Sequence, residues 1–280
     1  MAFWLRIIVY LGVCLGIVFC CYIPMFLLFP ELIGNNYPNL MNDQRYLITS
    51  QVATALGISI GTYLMIVKIE NRRLTEYLLN VNIISLLKGF LLGIVLMSLF
   101  SSLMIVVGWI QFNFNIFSFH LVTSFILYFF VAVAEEILAR GYILNNLRHR
   151  FNAPVALVVS SVIFGAMHVG NDYFTWIGFA NISLSGFLMG LVALKSKSVS
   201  AAIGLHWSWN FFQGPVFGFA VSGHQELGIL KTNFGADKIF TGGNFGAEGS
   251  IILTSISIVF IGLVYRYYEN SPNSNLKELA

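Results

Sequence analysis

Along this chain, apolar residues run in long stretches interrupted by short polar connections. Eight stretches, residues 3–29, 47–68, 84–110, 117–145, 153–171, 173–194, 198–221 and 250–268, each approach the roughly 20 apolar residues that a helix needs to cross a hydrocarbon layer. The pattern predicts an all-α, polytopic transmembrane helix bundle of about eight spans. Residues 1–280 then form a single integral membrane domain, with almost nothing left for a soluble one. The longest connection, residues 222–248, runs into "TGGNFGAEGS", whose glycines predict a turn-rich loop able to fold back over the bundle.

Composition points the same way: 58% of the residues are hydrophobic, 15% are aromatic and only 10% are charged, a balance suited to a lipid solvent. The first apolar stretch is longer than the core of a secretion signal and lacks a small-x-small cleavage site, so a retained span is expected. Cys14, Cys20 and Cys21 all lie in it and read as small packing residues, not as a disulfide framework. "LGVC" is no lipoprotein box, because Val13 is too large for the position before the cysteine.

The loop cations set an orientation. With the N-terminus inside, Arg6, Lys68, Arg72, Arg73, Lys88, Arg148, Arg150, Lys195, Lys197, Arg266 and Lys277 fall on the cytosolic side, against Arg45, Lys231 and Lys238 outside. Both termini are expected to be cytosolic. The formal net charge of +3 is accounted for by topology, and cations dispersed over loops exclude a nucleic-acid footprint. Spans one to three, nearly free of internal charge, read as scaffold. Gly178, Ser183, Ser185, Gly186 and Gly190 in span six, with the small residues opening span seven, predict close helix approach at the centre of the bundle.

Against that background, "FFVAVAEEILARGYIL" stands out, because Glu135, Glu136 and Arg140 interrupt an apolar span. A charge at mid-bilayer costs roughly 2.5–3.5 kcal/mol on insertion scales, so three such groups imply compensation or function. Glu136 and Arg140, at i and i+4, face each other as an ion pair. Glu135 points about 100° away around the helix and is left without an evident partner.

Two later spans carry matching polar groups. "FGAMH" places Phe164 and His168 on one face, and "HWSWN" places His206 and Asn210 on one face. A lone histidine near a span end is as readily an interfacial packing residue, and for His120, His149 and His224 that plain role is preferred. Depth links the others. At about 1.5 Å per residue, Glu135, His168, His206 and Asn210 come within about one helical turn of the same level, which predicts one shared intramembrane site.

A carboxylate in a water-poor pocket suits a general base acting on water. Histidine can orient that water or move its proton, and a histidine with an asparagine amide can donate to an oxyanion. Amide hydrolysis fits this inventory without a serine or cysteine nucleophile. Two glutamates and two histidines could also compose a zinc site. However, the arrangement is not the one that sets two histidine ligands on one helical face, so zinc is possible but not favoured and no cofactor is expected.

"EEILAR", "FGAMH" and "HWSWN" resemble, in order, the EExxxR, FxxxH and HxxxN motifs of the CPBP family of intramembrane proteases, which includes CAAX prenyl endopeptidases and bacteriocin-processing, Abi-type proteins. The resemblance covers a core at residues 118–213, and "GGNFGAEGS" is similar to a stretch found after the core in some bacterial members. It implies a helical membrane protease. Glu135 would activate water, His168 would be its partner, His206 and Asn210 would stabilise the oxyanion, and Glu136 and Arg140 would support them. The substrate would be a membrane-associated or lipidated peptide. A non-catalytic immunity or scaffold protein of the same family, and a transporter or proton relay, are the competing expectations. Oligomeric state and further partners stay unspecified.

Overall fold

Polar residues at the ends of the apolar stretches start the helices. Asp43, Asn82, Asn152, Thr175 and Ser198 each accept a hydrogen bond from a backbone N–H two or three residues on, satisfying donors that a helix leaves unpaired at its first turn. Pro154 sits in the first turn of its helix, where the missing N–H costs nothing. The computed structural model describes residues 2–33, 43–115, 119–225 and 227–269. Lys277 and the polar tail around it lie outside the described residues.

Six helices are long and apolar enough to cross a membrane: α1 (Phe3–Leu28), α2 (Gln44–Ile69), α3 (Ile83–Val106), α4 (His120–Arg148), α6 (Trp176–Ser196) and α8 (Ile251–Glu269). Between them, α5 (Ala153–Ala166) and α7 (Val199–Phe211) are shorter. Every expected span contains a helix, and the protein is an all-α polytopic membrane bundle.

Three expected boundaries are corrected. Helix α5 ends at Ala166 and not at 171, giving 14 residues and about 21 Å of rise. The sequence after it, His168 to Asp172, is polar and glycine-containing and closes into turns, with Asn171 N–H donating to the His168 carbonyl. Helix α7 gives way at Phe212 to a π-helical turn that ends at Val216, short of 221, around Pro215. Helix α3 stops at Val106, before Gly108 turns the chain at a φ of 77°.

Beyond Gly108 the chain forms a strand, β1 (Ile110–Phe114), which pairs antiparallel with β2 (Leu230–Phe234) from the long late connection, Ile110 opposite Phe234. "IQFNF" alternates apolar and polar residues, the strand period rather than the helix period. The expected turn-rich loop does fold back, and this small sheet helps to hold it.

Hydrogen bonds sort the connections into two ends. At one end Arg72 meets His149, Ser198 donates to the Asn80 carbonyl and Arg6 lies 3.6 Å from Glu70. At the other, Asn171 donates to the Ser222 carbonyl and Gly223 N–H to the Phe245 carbonyl. The first end carries most of the cations.

The core lies where α3, α6 and α7 meet α4 and α5. The expected central placement of the sixth and seventh spans holds, and α3, read as scaffold, crosses α7 at close range. A Cβ on Gly89 would come within 2.0 Å of the Ala201 carbonyl oxygen, and one on Gly204 within 2.0 Å of the Leu86 carbonyl oxygen. "GFLLG", Gly89 to Gly93, is a small-xxx-small pattern that marked this crossing in the sequence.

Candidate active site

Helix α4 winds as an α-helix to Glu136 and as a π-helix from Ile137 to Ile143. A π turn inside an α-helix re-aims the side chains around it and recurs at functional sites. Here it begins beside the two glutamates and contains Arg140.

Glu136 and Arg140 form the expected pair, with Arg140 Nη1 donating to Glu136 Oε1 at 2.6 Å and both side chains almost wholly buried. The guanidinium also lies 4.0 Å from the centre of the Phe164 ring, a cation–π contact in a site shielded from water. Room for it comes from Gly186, where a Cβ would stand 3.0 Å from Arg140 Nη2. The phenylalanine of "FGAMH" thus serves the ion pair as well as packing on His168, 5.0 Å between ring centroids.

Glu136 has a second partner that sequence spacing did not indicate: His206 Nδ1, 2.9 Å from Oε1. The carboxylate only accepts, so Nδ1 carries the proton in this contact. His168 is fixed in the same way, with Nδ1 2.9 Å from the Phe164 carbonyl oxygen, which also only accepts. In the neutral imidazoles both Nε2 atoms are therefore acceptors.

Those two Nε2 atoms face Glu135. Its Oε2 is 3.9 Å from His168 Nε2 and 4.0 Å from His206 Nε2. Among the described residues Oε2 accepts no hydrogen bond from the protein, although it is buried. Asn210, one turn beyond His206 and 7% exposed, lines the same cavity. The structure brings all four predicted site residues to one cavity and leaves Glu136 and Arg140 behind its wall.

Zinc ligands about 2.0–2.1 Å from a tetrahedral ion stand about 3.4 Å apart, closer than the 3.9 and 4.0 Å found here. Glu136 is already committed to Arg140 and His206. Among the described residues no group of three histidine, cysteine or acidic side chains is disposed to hold a metal ion. The donor set as it stands does not fit zinc.

The cavity measures about 680 Å³, within the usual range for a ligand site. Sequence reasoning missed much of its lining. Leu47 and Gln51 come from α2, a span read as scaffold, and His224, given a plain role, lines the cavity with Asp172 and Gln225, all three exposed where it opens. Glu248 is the largest omission. Its carboxylate takes hydrogen bonds from Gln213 Nε2 and, at 3.2 Å, from Ser222 Oγ, while its carbonyl accepts from Asn181 Nδ2 at 2.6 Å. Burial pushes the Glu248 carboxyl above its ordinary range, with the Gln213 and Ser222 bonds acting the other way. Positive φ at Gly242, Gly243 and Gly246 lets the segment turn tightly enough to place it. A carboxylate inside a glycine-rich loop was a visible signal, but only the fold shows that the loop roofs the cavity.

Fold and cavity define a membrane-embedded helical protein with a polar chamber. Residues 117–212 match the family described as type II CAAX prenyl endopeptidase Rce1-like. This part of the chain is similar to that family, in agreement with the motif resemblance. A curated relative, the UPF0177 protein YxdF of Lactococcus lactis subsp. lactis (strain IL1403), is 32% identical over 91 residues, covering 32% of this chain and 48% of that protein. The chain thus spans about half the length of the curated relative it matches. No solved structure matches the chain.

Proposed function

We propose that the protein is an intramembrane endopeptidase that hydrolyses a peptide bond with water activated by Glu135. The observation that carries this reading is the convergence of three acceptors, Glu135 Oε2, His168 Nε2 and His206 Nε2, on one point of the cavity within 4.0 Å of the carboxylate oxygen. Water is the substrate such a cradle suits, since it donates two hydrogen bonds and keeps its lone pairs for attack. Glu135 takes a proton from the water as its oxygen bonds to the carbonyl carbon. The resulting oxyanion is held by the Asn210 amide. The C–N bond then breaks, and the proton passes to the leaving amine.

His206 can donate to the oxyanion from Nε2 only when it carries both ring protons, and the charge would then face Glu136 across the 2.9 Å contact. His168 keeps the water directed at the substrate and can carry the proton onward. Glu136 and Arg140 act through His206 and Phe164 without touching the reacting atoms.

Residues that act as a unit lose activity non-additively. Glu135→Gln and His168→Ala should each reduce cleavage of a membrane peptide by about 10²-fold or more, and the double variant by little more than the worse single one. Losses that multiply would place the two residues in separate roles.

A further inference from the structure

We infer that the cavity admits substrate from the extracytoplasmic face of the membrane, and that the substrate is the juxtamembrane segment of an exported or surface-anchored polypeptide. This rests on the endopeptidase reading for what happens to that segment, but the sidedness stands on separate observations.

The mouth and the cations lie at opposite ends of the bundle. Polar residues of the cavity rim, Asn171, Asp172, Ser222, His224 and Gln225, come from the connections after α5 and after α7. Among the lining residues none belongs to the connections at the other end, residues 70–82, 149–152 and 197–198. That closed end is bolted by the contacts of Arg72 with His149 and of Ser198 with Asn80. It is also where ten of the thirteen described lysines and arginines outside the site lie, and an excess of this size marks the cytosolic side.

The path inward suits an extended peptide. Leu47, Leu127, Tyr128, Val131 and Met167 give apolar walls between the polar rim and Glu135. A segment whose polar part rests at the rim and whose apolar part enters the membrane would lay its junction against Glu135. His168 stands beside this access, because α5 ends two residues before it and the turns that follow carry Asn171 and Asp172 to the rim. A prenylated C-terminus presented in the cytosol would meet the closed end.

The test uses full-length protein with Cys14, Cys20 and Cys21 replaced by alanine, carrying a single new cysteine. Protoplasts or spheroplasts are treated with a membrane-impermeant maleimide before and after permeabilisation. Gln225→Cys and Asp172→Cys, on separate connections, should label fully in sealed cells, and Arg150→Cys only after permeabilisation. Mouth cysteines that label only after permeabilisation overturn the inference, as does labelling of Arg150→Cys in sealed cells. A second readout compares peptides released outside the cells by wild type and by Glu135→Gln. Fragments lost in the variant should map to extracytoplasmic juxtamembrane segments; fragments from cytosolic tails would contradict the substrate class. Identical peptide sets would defeat the endopeptidase reading while the labelling still decides the sidedness.

Discussion

His206 Nδ1 and Arg140 Nη1 converge on a single oxygen, Oε1 of Glu136, at 2.9 and 2.6 Å. One buried carboxylate therefore ties α4 to α7 while neutralising the arginine one turn along its own helix. The two glutamates of the motif divide the work: Glu136 holds the frame, and Glu135, with 28% of its side chain exposed, faces the cavity.

That division predicts different failures for the two isosteric changes. Glu136→Gln leaves Arg140 buried without a charged partner, which typically costs roughly 3–5 kcal/mol. Its unfolding temperature in detergent should drop sharply, whereas Glu135→Gln should unfold close to wild type. Equal stability of the two variants would remove the structural role given to Glu136.

The crossing of α3 and α7 depends on missing side chains. Gly204→Ala places a methyl group within 2.0 Å of the Leu86 carbonyl oxygen, a backbone atom that cannot rotate away. A loss of about 1–3 kcal/mol is expected from such overpacking. Gly12→Ala, with open space around it, should be silent in the same unfolding assay.

Metal removal should leave activity intact. Treatment of the purified protein with a strong zinc chelator, and then dialysis, is expected to change the cleavage rate by less than about twofold, because Glu135, His168 and His206 stand too far apart for zinc in their present positions. Loss of activity with recovery on adding zinc would show that the side chains close around an ion.

Glu248 gives a pH dependence whose sign is set by its environment. Burial raises its carboxyl in the folded state above the unfolded value. The folded protein then holds that proton longer, so the stabilisation is present below the unfolded value of about 4 and is lost as pH rises through the folded one. Glu135, His168, His206, Asp172 and His224 are further ionisable side chains lining the same cavity. The Glu248 contribution is therefore read as a difference: unfolding temperature of Glu248→Gln minus wild type should grow as pH rises. Parallel curves would mean that the loop does not sense this proton.

The spans and the Glu136–Arg140 pair were legible because helical spacing is local and a charge in an apolar run is conspicuous. Agreement of depth was enough to group Glu135 with His168 and His206. The His206–Glu136 bond was not legible, since two depths agree without saying which ring nitrogen faces which carboxylate. Gln51, Asp172 and Glu248 escaped for another reason: polar residues at span ends and in loops are ordinary, and only the return of residues 230–250 over the bundle gives these positions a cavity to line.

The central claim is chemical work by Glu135. Cells carrying either wild type or Glu135→Gln at matched membrane levels can be compared for their complete set of membrane-associated and released peptides. Disappearance of a defined set of cleavage products in the variant, with the uncut precursors accumulating, is the predicted result. Unchanged products and precursors would contradict catalysis by this residue.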